Sequence, residues 1–232
     1  MEQKKRKITG AVIWDILNPF IIAVVFLYLL SAIFTMISAQ VTGNPDYSEA
    51  LKEFAVSPLV VNIIFYGISL FVFGRAYRKD NLRFGEQKLA VSKGKAFLYI
   101  VIAAAVLYAV NLLISYSPLT RIFPAYTDSA AASFLNQPLP LLILSNVVLG
   151  PTAEELIFRG LTFRRMDFRI GMKFALIVSS LLFGIYHANM LQLIYAFITG
   201  IICALCYKKC NSLYVSIIIH MAVNALAVPY YL

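Results

Sequence analysis

Long stretches of apolar residues alternate with short polar segments along the chain. Seven such stretches are present, at residues 12–38, 56–74, 96–116, 138–160, 172–190, 191–207 and 211–231. An α-helix needs about 20 apolar residues to cross the hydrocarbon core of a bilayer. The pattern therefore predicts an all-α, polytopic transmembrane helix bundle of about seven spans. Because the last three stretches are short or closely joined, six spans and one re-entrant segment are the alternative.

The composition supports a membrane-embedded protein. Hydrophobic residues make up 61% of the 232 positions and charged residues only 13%, whereas soluble domains have about 25% charged residues. This composition excludes a disordered chain, a collagen, a disulfide-stapled secreted scaffold and a soluble nucleotide-dependent enzyme. We expect a multi-pass protein of the cell membrane, with the lipid bilayer as its main partner and an oligomeric state that the sequence does not indicate.

The positive charges predict how the chain is oriented. Apart from Lys52 and Arg121, every Lys and Arg lies in the N-terminal tail, in residues 75–95, in residues 159–173 or at positions 208 and 209. Loops that stay in the cytoplasm retain such residues. The distribution predicts a cytoplasmic N-terminus and an external C-terminus at Leu232. It also accounts for the net charge of +9 without a nucleic-acid partner.

The three cysteines lie on one predicted helix face. Cys203, Cys206 and Cys210 have the spacing i, i+3, i+7 inside an apolar segment. A zinc site is one interpretation of this spacing. Thiols that pack as small apolar groups are the interpretation that we favour.

Ionisable and polar residues gather within the apolar stretches of the C-terminal half. An ionisable group at membrane depth is costly and usually faces a cavity or a partner, which makes it a candidate for function. The chain's two histidines belong to this set. The candidate site residues are Glu154, Glu155, Arg159, His187, His220 and Asn224.

Helical spacing predicts how these side chains are grouped. Glu155 and Arg159 are separated by four residues, so they share a face and can form an ion pair. Glu154 is rotated by about 100° from Glu155 and points elsewhere. His220 and Asn224 also share a face. If the fourth span continues as a helix through residues 164–169, a count of residues from Gly171 places Glu154 level with His187.

Three short motifs in this region resemble those of a known family. Residues 154–159 read EExxxR, residues 183–187 read FxxxH and residues 220–224 read HxxxN. Their order and positions on predicted membrane helices resemble the CPBP family, the CAAX-protease and bacteriocin-processing intramembrane endopeptidases also called Abi. The resemblance covers residues 138–228. We therefore divide the chain into three N-terminal spans with a basic loop, 1–137, and a four-span catalytic core, 138–232.

The resemblance implies a polytopic peptidase that cuts within or near the membrane. By motif position, Glu154 corresponds to the catalytic glutamate, and Glu155 and Arg159 to a supporting ion pair. His187, His220 and Asn224 correspond to the rest of the active site. The implied substrate is a peptide or protein, prenylated or not, as in CAAX, leader or pheromone processing. A non-catalytic membrane scaffold or bacteriocin-immunity protein is the alternative.

The residue types fit peptide hydrolysis without the family name. A buried carboxylate beside an imidazole can activate water, for which we choose Glu154 and His187. His220 and Asn224 can donate hydrogen bonds to an oxyanion. No cofactor is required by this scheme, but Glu154, His187 and His220 could instead hold a catalytic zinc. We favour the metal-free scheme because Asn224 is a poor zinc ligand and Glu155 is expected to be committed to Arg159. Two groups of residues are expected in the interfacial belt and not in substrate contact, namely Tyr186, Asn189 and Gln192 near the outer turn and the aromatics Tyr195, Tyr214, Tyr230 and Tyr231.

Overall fold

The computed structural model describes residues 8–44, 58–123 and 138–228, and the regular structure in these ranges is entirely helical. The predictions for the N-terminal basic tail, Lys52, Tyr230, Tyr231 and Leu232 concern positions outside the described residues. The helices are α1 (Gly10–Thr42), α2 (Pro58–Phe84), α3 (Lys93–Ser115), α4 (Leu119–Ile122), α5 (Leu139–Arg169), α6 (Met172–Tyr186), α7 (Met190–Cys210) and α8 (Leu213–Ala227).

The predicted all-α bundle is confirmed, and the helices extend beyond several predicted spans. Within the described ranges, five helices are long and apolar enough to cross a membrane, namely α1, α2, α3, α5 and α7. Helices α6 and α8 are apolar but have 15 residues each, so they are about 22 Å long. The fourth predicted span continues to Arg169, as the residue count for Glu154 required.

Helix α5 contains two π-helical stretches, Ile143–Leu149 and Leu156–Phe163. The first is linked to Pro151. The Gly150 N–H donates to the carbonyl of Ser145, and Pro151 has no N–H to donate. The carbonyl of Asn146 therefore lacks both main-chain donors that an α- or a π-helix would supply, and it is free to accept a bond from another helix.

Helices α6 and α7 approach each other closely at two glycines. A Cβ atom on Gly200 would lie 2.8 Å from the Cβ of Ser180, and one on Gly184 would lie 2.8 Å from the carbonyl oxygen of Leu193. Small residues permit such close contact between membrane helices. These contacts fix the end of α6, which His187 follows directly.

The N-terminal helices are tied to α5 by a charged cluster, which we call the basic end. Arg165 donates to the Asp80 carboxylate at 2.6 Å and to the Asp15 carbonyl at 2.8 Å. The Asp15 carboxylate pairs with Arg83 at 2.9 Å and with Arg169 at 3.2 Å. The start of α1 and the ends of α2 and α5 thus meet at one end of the bundle.

The turn between α7 and α8 and the start of α3 also lie at the basic end. Lys208 pairs with Asp167 at 2.5 Å, and the Ala90 N–H donates to the Cys210 carbonyl at 2.8 Å. It follows from the chain direction that α2 and α5 begin, and α3, α6 and α8 end, at the opposite end of the bundle, which we call the far end. Trp14, the chain's single tryptophan, precedes Asp15 and is 56% exposed.

The cysteines lie along α7 as free thiols. Cys203 and Cys210 are buried, and Cys206 is half-buried. The Cys203 thiol lies 4.0 Å from the Ser216 carbonyl oxygen, so it contributes to the packing of α7 against α8.

Candidate active site

A buried ion pair between Glu155 and Arg159 contacts the imidazole of His220. The Glu155 carboxylate oxygen Oε1 lies 3.0 Å from Nη1 of Arg159 and 3.0 Å from Nδ1 of His220. Glu155 and Arg159 are 0% and 1% exposed. The guanidinium carbon of Arg159 also lies 4.3 Å from the ring centroid of Phe183. Because an ionised carboxylate only accepts, His220 donates from Nδ1 and presents Nε2 on its other side.

Glu154 faces the opposite side of His220. Its Oε2 lies 3.8 Å from Nε2 of His220, and its Oε1 accepts a hydrogen bond of 3.3 Å from the Tyr66 hydroxyl. His220 therefore lies between two adjacent carboxylates, one of which is neutralised by Arg159. A single water molecule can reach both Glu154 and His220 with hydrogen bonds of about 2.8 Å.

His187 is held at the end of α6 by the chain itself. Its Nδ1 donates to the Phe183 carbonyl at 2.8 Å, which leaves Nε2 as the acceptor of the neutral ring. The Phe183 ring makes edge contacts with His187 and His220, at centroid distances of 4.9 and 5.7 Å. The sequence pairs Glu154 with His187, whereas the structure brings His220 into contact with Glu154.

Asn224 lies one helical turn beyond His220 and is already partly engaged. Its Nδ2 donates to the Asn146 carbonyl at 2.8 Å, the carbonyl that the π-helical stretch and Pro151 leave free. A carboxamide nitrogen has two hydrogens, so one donor remains for another acceptor. The irregular stretch of α5 thus orients a side chain of α8.

These groups open into one cavity of about 590 Å³. Glu154, His187, His220 and Asn224 all line it, whereas Glu155 and Arg159 lie behind its wall. Four of the six predicted site residues therefore form part of the cavity surface, and the other two support these four from behind.

The sequence did not indicate the contribution of Tyr66. This residue lies on α2, in the N-terminal part for which no motif was found, and its ring packs against Gly150, where an added Cβ would come within 3.2 Å of it. A signal was available in the pair Asn62 and Tyr66, two polar groups four residues apart in an apolar stretch.

Tyr186, Asn189, Gln192 and Tyr195 were expected in the interfacial belt and not in substrate contact, but the structure places all four on the lining of the cavity. The reason is the shortness of α6: the chain turns back at Ala188, which has a left-handed φ of 52°, and Asn189 caps α7 by accepting from Leu191 and Gln192. The turn is thereby placed beside the site.

The side chains fit a zinc site poorly. Among the described residues, no three His, Cys, Asp or Glu side chains are arranged to hold a metal ion. One argument against zinc is nevertheless wrong: Glu155 was expected to be committed to Arg159, but it also bonds to Nδ1 of His220, the kind of contact that metal-bound histidines commonly make.

Comparison with known proteins places the similarity in the same region. A family model, type II CAAX prenyl endopeptidase Rce1-like, matches residues 136–226. The curated protein "Putative membrane peptidase YdiL" of Bacillus subtilis (strain 168) is 33% identical over 92 residues, which are 40% of this chain and 38% of that protein. The chain thus matches little more than a third of the relative's length. No solved structure matches.

The matches confirm the resemblance to the CPBP family that the motifs indicate. The matched segment contains all six predicted site residues. Together with the apolar helices, the matches also support a multi-pass integral membrane protein.

Proposed function

We propose that this protein is an intramembrane endopeptidase that hydrolyses peptide bonds of membrane-associated proteins or peptides, with Glu154 as the general base. The observation that carries the proposal is the contact of Glu154 with Nε2 of His220 at 3.8 Å, at the wall of a cavity inside an apolar bundle. A carboxylate and an imidazole so placed can share one water molecule.

In the proposed reaction, Glu154 takes a proton from this water as the water oxygen attacks the substrate carbonyl carbon. The tetrahedral intermediate has a negatively charged oxygen. When the carbon–nitrogen bond breaks, Glu154 returns the proton to the leaving nitrogen, and the products are a carboxylic acid and an amine. His187 presents its Nε2 acceptor to the same cavity and holds the water on the side away from His220.

Two donors are available for the oxyanion. Nε2 of a protonated His220 is one, and the second N–H of Asn224 is the other.

The test is cleavage by the Glu154→Gln variant in proteoliposomes, measured with internally quenched peptides that the wild-type protein cuts. The substitution keeps the shape of the side chain and removes the base. We expect a loss of about 10³-fold in cleavage rate, the size of a general-base contribution. Glu86→Gln, the same chemical change in the loop after α2, is the matched control and keeps wild-type activity.

The alternative, a non-catalytic scaffold or bacteriocin-immunity protein, makes a different prediction. In that case, peptide cleavage is absent from the wild-type preparation or survives unchanged in Glu154→Gln. Either result contradicts the proposal.

A further inference from the structure

Neutral carboxamides surround the cavity on the far side of Glu154 and His220. They come from five helices and from the turn between α6 and α7, and all of them line the cavity. The residues are Asn62, Asn111, Asn146, Asn189, Gln192 and Asn224.

Several of these carboxamides have no partner within the described part of the protein. The side chains of Asn62, Asn111, Asn146 and Gln192 make no hydrogen bond to another described residue, although each is half-buried. Polar groups at membrane depth are costly when they remain unsatisfied. The helices therefore carry hydrogen-bonding capacity that their own packing does not use.

The positions of these side chains follow from the helix directions. Asn62 lies one turn before Tyr66, and Asn224 one turn after His220, so both lie toward the far end. Asn146 precedes Glu154 by eight residues, about 12 Å along α5. We call the part of the cavity that these carboxamides line the neutral wall. An extended chain advances about 3.3 Å per residue, so the length of the neutral wall matches three to four residues of extended peptide beside the scissile bond.

The charge of the neutral wall indicates which chemical groups of a peptide can bind there. Among the described lining residues, there is no Lys or Arg, and the carboxylate and imidazole groups are Glu154, His187 and His220, which the proposed reaction uses. Apart from these reacting groups, the described lining offers no cation of the kind that would bind a terminal carboxylate. A carboxamide offers a donor and an acceptor without charge, which matches the N–H and C=O groups of a peptide main chain.

A helical substrate would not use this wall, because its main-chain groups are already bonded within the helix. We propose that the far side of the cavity is a main-chain binding site, which takes an internal, extended segment of the substrate and does not require its terminal carboxylate. This inference rests on the proposed function for the identity of the ligand as a peptide substrate.

Binding can be tested separately from cleavage. The probe is a fluorescein-labelled peptide of alternating Val and Thr, acetylated and amidated, and its Kd for the full chain in nanodiscs is measured by fluorescence anisotropy. The comparison peptides are a helical one containing α-aminoisobutyric acid and the extended one with a free C-terminal carboxylate. Wild-type protein and Glu154→Gln are both used, so absent cleavage does not obscure binding.

We expect the extended peptide to bind at least about tenfold more tightly than the helical one, which corresponds to the loss of one or two neutral hydrogen bonds. Asn62→Leu and Asn111→Leu should each raise the Kd about three- to tenfold. Their thermal unfolding should stay like that of the wild type, because these amides have no partner among the described residues. Asn44→Leu, at the end of α1 and outside the cavity, is the control.

Three results would overturn the inference. They are unchanged binding in Asn62→Leu and Asn111→Leu, equal binding of the helical peptide, and binding of the free carboxylate peptide that is much tighter than that of the amidated one. If binding follows our expectation but the wild-type protein cleaves no peptide, the proposed function fails and the main-chain site remains.

Discussion

At the scale of single residues, two neighbouring glutamates have opposite surroundings. Glu155 is enclosed by Arg159 and His220, whereas Glu154 faces the cavity. Their separation by about 100° on a helix was predictable from sequence, as was the pair with Arg159. The bond from His220 to Glu155 was not predictable, because it depends on the axial position of α8 relative to α5, which no local spacing determines.

Removal of the buried carboxylate should destabilise the protein more than removal of the whole pair. We expect Glu155→Ala to lower the free energy of unfolding by about 3–5 kcal/mol, since Arg159 is left as an uncompensated buried charge. The double variant Glu155→Gln with Arg159→Met should recover most of this stability. The measurement is thermal unfolding in detergent. A single variant as stable as the double one would contradict the role of the ion pair.

A metal-free reaction is a second expectation at this scale. We expect purified protein to contain substoichiometric zinc, and peptide cleavage to persist after prolonged dialysis against a chelator, because no three His, Cys, Asp or Glu side chains among the described residues are arranged to hold a metal ion. Elemental analysis and the cleavage assay are the two measurements. Zinc at one ion per chain, with activity lost on its removal and restored on its return, would show that Glu154 and the histidines act as ligands.

At the scale of helices, irregular geometry decides how side chains are oriented. A helical wheel with a fixed 3.6-residue period does not include the change of rotation that the π-helical stretches of α5 introduce between its parts. The apolar pattern predicted that a helix exists here, but it could not show that Pro151 frees the Asn146 carbonyl for Asn224. Because α6 is short, Tyr186 lies at the cavity, whereas the sequence pattern indicated the lipid interface.

The contact between α6 and α7 provides a test of helix packing. We expect Gly200→Ala to destabilise the fold by about 1–3 kcal/mol, since its Cβ would overlap Ser180, and to reduce cleavage by displacing His187. The second substitution Ser180→Gly should restore both properties in part, since it removes the Cβ and Oγ atoms at 2.8 and 3.0 Å but leaves the Cα atom at 2.9 Å. Gly67→Ala is the control, because an added Cβ there meets nothing within 4 Å. Thermal unfolding and peptide cleavage are measured for all three variants.

At the scale of the whole molecule, the two ends of the bundle differ in chemistry. The basic end is closed by ion pairs that connect α1, α2 and α5, and the far end contains the neutral wall of the cavity. Loop charges alone predicted which segments share an end. They did not predict that acidic residues of α1 and α2 would neutralise several of the arginines.

The orientation in the membrane remains a prediction. In a background without the three native cysteines, we expect Tyr116→Cys, which lies at the far end and is 82% exposed in its native form, to react with an impermeant maleimide added outside cells. Ser92→Cys, at the basic end, should react only after the cells are opened, because positively charged loops stay in the cytoplasm. Strong labelling of position 92 from outside would invert the topology.

The attachment of α1 through Asp15 gives the molecule an intrinsic optical reporter. Trp14 is the single indole of the chain, and it adjoins the residue that pairs with Arg83 and Arg169. Its emission wavelength and its quenching by brominated lipids therefore report the surroundings of the start of α1 alone. Whether this helix stays attached during turnover can thus be followed in unlabelled protein, in a native-like bilayer and in real time.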